Sequence, residues 1–207
     1  MNIEYINSLN LKTGDVILFS GHDSGIMSML SWFVKFFTHS NYSHIGVILR
    51  DPTFISPELK GYYVWESSWE DKPDPQDGKN KIGVQITPLQ EILDSFKDSV
   101  VTVRRINSNE EFTEQKLKEI HSVVYNKPYD MVPTDWIQAL FRTDISPQKT
   151  DRFWCSALVG YIYTKCNILT DDTDWSILRP CDFSIAGEEL KYKGDNKLDN
   201  QEIRIQQ

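Results

Sequence analysis

The order of the hydrophobic patterns constrains this chain more than any single motif. Short β-type runs crowd the first half: Asp15–Ser20, His44–Arg50, Gly61–Glu66, Ile82–Ile86 and Val100–Arg105. Helical spacing dominates the second half, around Thr113–Tyr125, Thr134–Phe141 and Asp151–Lys165, with a shorter helical run over Pro88–Phe96. A parallel sheet needs a helical crossover between successive strands, so strands first and helices later predict an antiparallel sheet in an α+β domain. One early exception is Ser24–Thr38, where Ile26, Met29, Leu30, Phe33, Val34 and Phe37 recur at helical spacing. That helix is greasy enough to be core, or to line an acyl-chain groove or touch a membrane surface.

Length and composition fit a single domain over 1–207. The 207 residues are 40% hydrophobic and 25% charged, which suits a folded core over about 11–185 followed by a polar tail expected to fray. The charged Pro/Gly loop Glu70–Lys81 reads as solvated. Net charge is −8 with no cluster of Lys and Arg, which argues against a nucleic-acid partner. Three cysteines, at 155, 166 and 181, form neither a disulfide framework nor a paired metal motif. The first residues lack a signal-peptide pattern and no apolar run reaches membrane-spanning length, so an intracellular setting is expected.

Chemistry concentrates on three side chains. Cys155, in Thr-Asp-Arg-Phe-Trp-Cys-Ser-Ala-Leu-Val-Gly, follows two candidate helix caps, Thr150 and Asp151. A thiol in the first turn of a helix feels a positive dipole that favours thiolate, and Arg152 adds to it. The alternative is a small buried hydrophobe, which is the simplest reading of Cys166. A thiolate nucleophile needs a base that later donates a proton, and imidazole suits that task. Of four histidines, His44 stands on a strand beside Gly46 and Ile48, whereas His22 and His39 fall in loops and His121 late in a helix. Glu66 ends a strand that is apolar on both faces, so it is expected to be buried and to need a partner such as an imidazole.

These segments together carry a resemblance. Leu-Lys-Thr-Gly-Asp-Val-Ile-Leu-Phe, Tyr-Ser-His-Ile-Gly-Val-Ile, Tyr-Val-Trp-Glu-Ser and Phe-Trp-Cys-Ser-Ala-Leu-Val, in that order, resemble the circularly permuted NlpC-type papain-like proteins. These are the YiiX/YaeF-like group, related to lecithin:retinol acyltransferase. Asn-Lys-Pro-Tyr-Asp (126–130) and Arg-Pro-Cys-Asp-Phe (179–183) are similar to segments flanking the group's cysteine helix, so the resemblance spans Leu11 to Phe183.

The resemblance implies a small antiparallel sheet packed on a helix with the nucleophile at its N-terminus. Cys155 would attack, His44 would be base and acid, and Glu66 would hold the imidazole. Tyr42 and Ser156 would line the substrate or oxyanion site, and Asp15 would be structural. No metal or organic cofactor is implied. The expected activity is a thiol hydrolase or acyltransferase on a lipid ester or amide, or another acyl substrate. Cell-wall peptide amidase chemistry and a non-catalytic lipid- or peptide-binding protein are the alternatives. The group occurs in bacteria and in large DNA viruses, so the expected setting is a bacterial cytoplasm or a virus-infected host cell.

Overall fold

A computed structural model describes residues 3–20, 42–69, 72–108, 110–130, 148–187 and 190–206. The patterns over 24–38 and 134–141, and with them His22 and His39, lie outside the described residues. Among those described, the elements run α1 (Ile3–Ser8), β1 (Val16–Ser20), β2 (His44–Arg50), β3 (Tyr62–Trp69), β4 (Ile82–Pro88), α2 (Leu89–Ser95), β5 (Val100–Ile106), α3 (Glu114–Val124), α4 (Cys155–Lys165) and β6 (Leu198–Gln206). The strands form one six-stranded antiparallel sheet in the order β4-β3-β2-β1-β5-β6, the α+β arrangement expected from the pattern order.

Burial follows from the apolar run of each central strand. Six of the seven β2 residues are buried, because both faces of the sheet are covered. On one face Val16, Leu18, Val47 and Trp65 pack against α3 and α4. On the other, Ile17, Phe19, Ile48 and Val64 pack against α1 and α2. Helix α4 is apolar all round and buried along its length, so it is a core element rather than a surface one. Its Tyr163 hydroxyl donates to the Gly14 carbonyl at 2.5 Å, tying the helix to the turn before β1. Asp15 braces that turn, its carboxylate accepting from the amides of Lys12 and Ile106, which is the structural part expected of it. No helix among the described residues is long and apolar enough to cross a membrane.

The C-terminal segment corrects the expectation of a fraying tail. Residues 198–206 pair with β5 as the sixth strand, burying Leu198 and Ile205. Only three apolar side chains punctuate that strand, so its hydrophobic signal is weak; its polar residues find partners instead. Glu202 accepts from the Tyr42 hydroxyl and from the Ile185 amide. The loop read as solvated is also anchored. Asp74 is fully buried and accepts from Lys81 Nζ at 2.8 Å, while Asp77 takes the same ammonium at 2.9 Å. Two carboxylates sharing one lysine let charge enter the interior that would otherwise stay in water.

Candidate active site

The helix bearing Cys155 starts four residues later than its pattern predicts. Phe153 is held extended: its amide donates to Pro128 O, and its carbonyl accepts from the Asp130 amide and, at 2.6 Å, from the Ser67 hydroxyl. Trp154 remains extended (φ −88°, ψ 173°) and is the N-cap, so Cys155 is the first helical residue. Thr150 and Asp151 therefore do not cap α4, and Asp151 pairs instead with Arg152 at 3.2 Å. No side chain caps this N-terminus among the described residues, which leaves the first-turn amides pointing outward beside the sulfur. Gly83 makes the strut possible. Its φ is +144°, and a Cβ there would sit 2.2 Å from the Lys127 carbonyl that lies against β4.

His44 opens β2 on the face of the sheet shared with Ile48, where its ring contacts Phe19 and Phe96. Glu66 lies on the same face of β3, fully buried, because the strand runs on to Trp69 rather than ending at the carboxylate. Gly46 sits opposite Glu66 in the register; a Cβ there would press on Val64 Cγ1 at 2.3 Å. The His44 Nε2 meets Glu66 Oε2 at 2.6 Å. The other carboxylate oxygen, Oε1, accepts from the Thr87 hydroxyl at 2.5 Å. Cys155 and Glu66 are the two groups that raise the imidazole's pKa, so the sulfur lies close beside the ring, and with Nε2 committed to Glu66 the nitrogen left for it is Nδ1. Strand β2 and helix α4 belong to different layers, and the two groups meet where β2 begins.

Electrostatics at this junction favour the charged form of the imidazole. Burial by itself disfavours the imidazolium, yet the hydrogen bonds from Cys155 and Glu66, with their charges, outweigh it. Together they hold His44 well above the ordinary histidine range. His44 and Cys155 are each only 5% exposed, so these interactions act in a poorly solvated setting where they are strong. The imidazole so held lies beside a sulfur at the positive end of a helix.

The structure thus brings together the three residues expected from the sequence, Cys155, His44 and Glu66. The two lining residues are engaged elsewhere. The Ser156 hydroxyl is buried and donates to Leu178 O at 2.7 Å. The Tyr42 hydroxyl donates to Glu202 at 2.6 Å and accepts from Thr102, and burial together with that carboxylate pushes its pKa up to about 12. A phenol so committed is a brace against β5 and β6 rather than a spare oxyanion donor. Cys166 is core, its thiol pushed up to about 12 by burial, and Cys181 is partly exposed beside Asp182. Thr87 is the residue that sequence reading missed. The pattern places the end of β4 at Ile86, yet the alternation Val84, Ile86 inward and Gln85, Thr87 on the histidine face was there to be continued. Among the described residues no three His, Cys, Asp or Glu side chains converge to hold a metal ion.

No family model matches the chain. No curated protein matches it either. Among solved structures it is similar to the metalloprotein YiiX (DUF1105) from Escherichia coli O157:H7, at 24% identity and a TM-score of 0.48. The match covers 75% of this chain and 66% of YiiX.

Proposed function

We propose that this protein is a cysteine hydrolase or acyltransferase built on a permuted papain-like plan, with Cys155 as nucleophile, His44 as base and acid, and Glu66 orienting the imidazole. One observation carries the reading: a single buried imidazole is bonded to a buried carboxylate and lies close beside a sulfur at the first residue of a helix. A carboxylate–histidine pair is common in cores, but a core has no use for a thiol on the histidine's second nitrogen.

The chemistry follows from the geometry. Cys155 sulfur attacks an acyl carbonyl, forming a C–S bond while the carbonyl oxygen takes the negative charge. The Cys155 amide and its neighbours in the first turn of α4 are donors suited to that oxyanion. The tetrahedral carbon collapses, its bond to the leaving oxygen or nitrogen breaks, and the His44 proton goes to the leaving group. Water or another acceptor then attacks the thioester, His44 takes its proton, and the thiolate leaves. Glu66 keeps the imidazole in one orientation and stabilises its charge throughout, as the acidic member of such triads does. The substrate is an ester or amide of an acyl group, with lipids favoured over cell-wall peptides.

The test is selective labelling. A thiol-directed acyl probe is expected to modify Cys155 ahead of Cys166 and Cys181, and to lose that preference in His44→Ala. Equal, slow modification of all three would leave a binding protein without turnover. Mass spectrometry of molecules co-purifying with Cys155→Ala then separates substrates: a fatty acid or phospholipid supports the lipid reading, and a peptide replaces it.

A further inference from the structure

We propose that Thr87 is a positioning residue of this site: its hydroxyl fixes the Glu66 carboxylate so that the other carboxylate oxygen faces His44. The inference rests on the cysteine–histidine reading above and adds a fourth member, on β4, an element that carries none of the other three.

Four observations carry it. An ionised carboxylate can only accept, so the 2.5 Å contact is a donation from Thr87 Oγ1 to Glu66 Oε1. Both residues are shut off from water, Thr87 at 4% exposure and Glu66 at none, so no solvent molecule replaces this donor without rearrangement. The two contacts divide the carboxylate, Oε2 to His44 and Oε1 to Thr87, which fixes the plane of the group as well as its charge. Finally, the register pairs Gln85 with Glu66 and Val64 with Thr87, which places the threonine diagonally beside the carboxylate on the histidine face.

Packing alone does not call for a hydroxyl there. The neighbouring cluster on that face is apolar, with Phe19, Ile48, Val64, Leu89 and Phe96, and valine would fill the same volume on a strand. A hydroxyl is wanted where a buried carboxylate has an oxygen left over. Neighbouring Gln85 does not supply the donor, because its amide donates to Ser68 Oγ at 2.8 Å. Without Thr87, Oε1 becomes a buried acceptor with one partner fewer, and the carboxylate is able to swing off the imidazole. The imidazolium then loses part of what stabilises it, and the thiolate that it faces becomes scarcer.

Alkylation by iodoacetate reads this directly. The reagent is an anion, so it reports on thiolate while the imidazolium beside it is still charged, and the rate against pH is a bell whose alkaline limb follows loss of the His44 proton. Wild-type protein is expected to show that bell at Cys155, and His44→Ala to abolish it. In Thr87→Val the maximum rate should fall about tenfold and the alkaline limb should move about one pH unit lower, the scale of one hydrogen bond to a charged group. Thr87→Ser, which restores the hydroxyl but loses the methyl, should return both to within about twofold of wild type. A Thr87→Val profile that superimposes on wild type overturns the positioning role, as does a Thr87→Ser profile shifted as far as that of Thr87→Val, since shape rather than the hydroxyl would then matter. A wild-type protein with no bell at Cys155 would overturn the cysteine–histidine reading, and the role of Thr87 with it.

Discussion

Two histidines in this molecule, His44 buried and His121 half-buried, are pushed in opposite directions, although each has a buried carboxylate nearby. His44 bonds Glu66 directly and is held well above the ordinary range. His121, on α3, packs among the rings of Phe54, Trp65 and Tyr125 and bonds the Gln76 side-chain oxygen at 2.7 Å. Burial lowers its pKa; the charge of Asp74 pulls it up, but Lys81 opposes that pull. The difference lies in what the carboxylate is already doing. Asp74 is neutralised by the ammonium of Lys81 and by the Gln76 amide at 2.6 Å, so it has little charge to lend. Among the described residues Glu66 pairs with no cation except the one that His44 itself becomes. Both regions are polar networks around a buried carboxylate; proton transfer is proposed for the one whose carboxylate pairs with no lysine among the described residues and whose imidazole lies beside a sulfur.

The sharpest way to break this comparison is to remove the sulfur. Cys155→Ser should lower turnover of an acyl probe by about a thousandfold or more while changing stability by under about 1 kcal/mol, since hydroxyl and thiol differ little in size. Unfolding in that variant would make the cysteine a core residue. Next, Lys81→Met in the other network should cost about 3 kcal/mol in denaturant unfolding, because it leaves Asp74 buried without its cation, yet leave Cys155 labelling as it was. A coupled loss of labelling would mean that the two networks are one. Glu66→Gln keeps the shape but removes the charge, and is expected to slow Cys155 labelling about ten- to a hundredfold with the fold intact. Wild-type labelling there would remove Glu66 from the mechanism.

The smallest effect concerns pH and stability. His121 has a lowered folded pKa, so the unfolded chain takes up this proton first as pH falls. Its contribution is present above about pH 6.5 and is lost as pH drops through the lower folded value. His44 works the other way: its contribution is complete below about pH 6.5 and is lost only as pH rises through its raised value. His121→Gln should therefore flatten the acid side of the stability–pH curve and leave the alkaline side unchanged. A flattened alkaline side would assign the two histidines the wrong way round.

What could be read from the residues was whatever depended on alternation within one segment. His44 on the face of Ile48, a buried Glu66 on an apolar strand and Cys155 within the first turn of a helix all follow from local pattern, and so does the turn at Lys12–Gly14; the pattern ended the Glu66 strand too early and began the helix too early. What could not be read depended on partners far along the chain. Helix α4 begins at Cys155 because Phe153 is pinned by residues 128–130 and by Ser67, none of which leaves a mark on the 150–155 segment. Strand β6 carries too few apolar residues to announce itself; its polar side chains are satisfied by Tyr42 and by the backbone at Ile185. The loop over 72–81 looks solvated until Asp74 and Lys81 are seen to cancel one another's charge. Thr87 went unnoticed for a more local reason: the proline that follows it reads as the end of a strand, whereas here the ladder runs through Pro88 at the sheet edge.

The central claim is a charged imidazole facing sulfur inside the protein, and nitrogen-15 NMR of labelled histidine rings measures it directly. At about pH 7.5 His44 should give the signals of a doubly protonated ring, His121 those of a neutral one, and Cys155→Ala should bring the His44 titration to lower pH. A neutral His44 at that pH, or one whose titration ignores the loss of Cys155, would contradict the account.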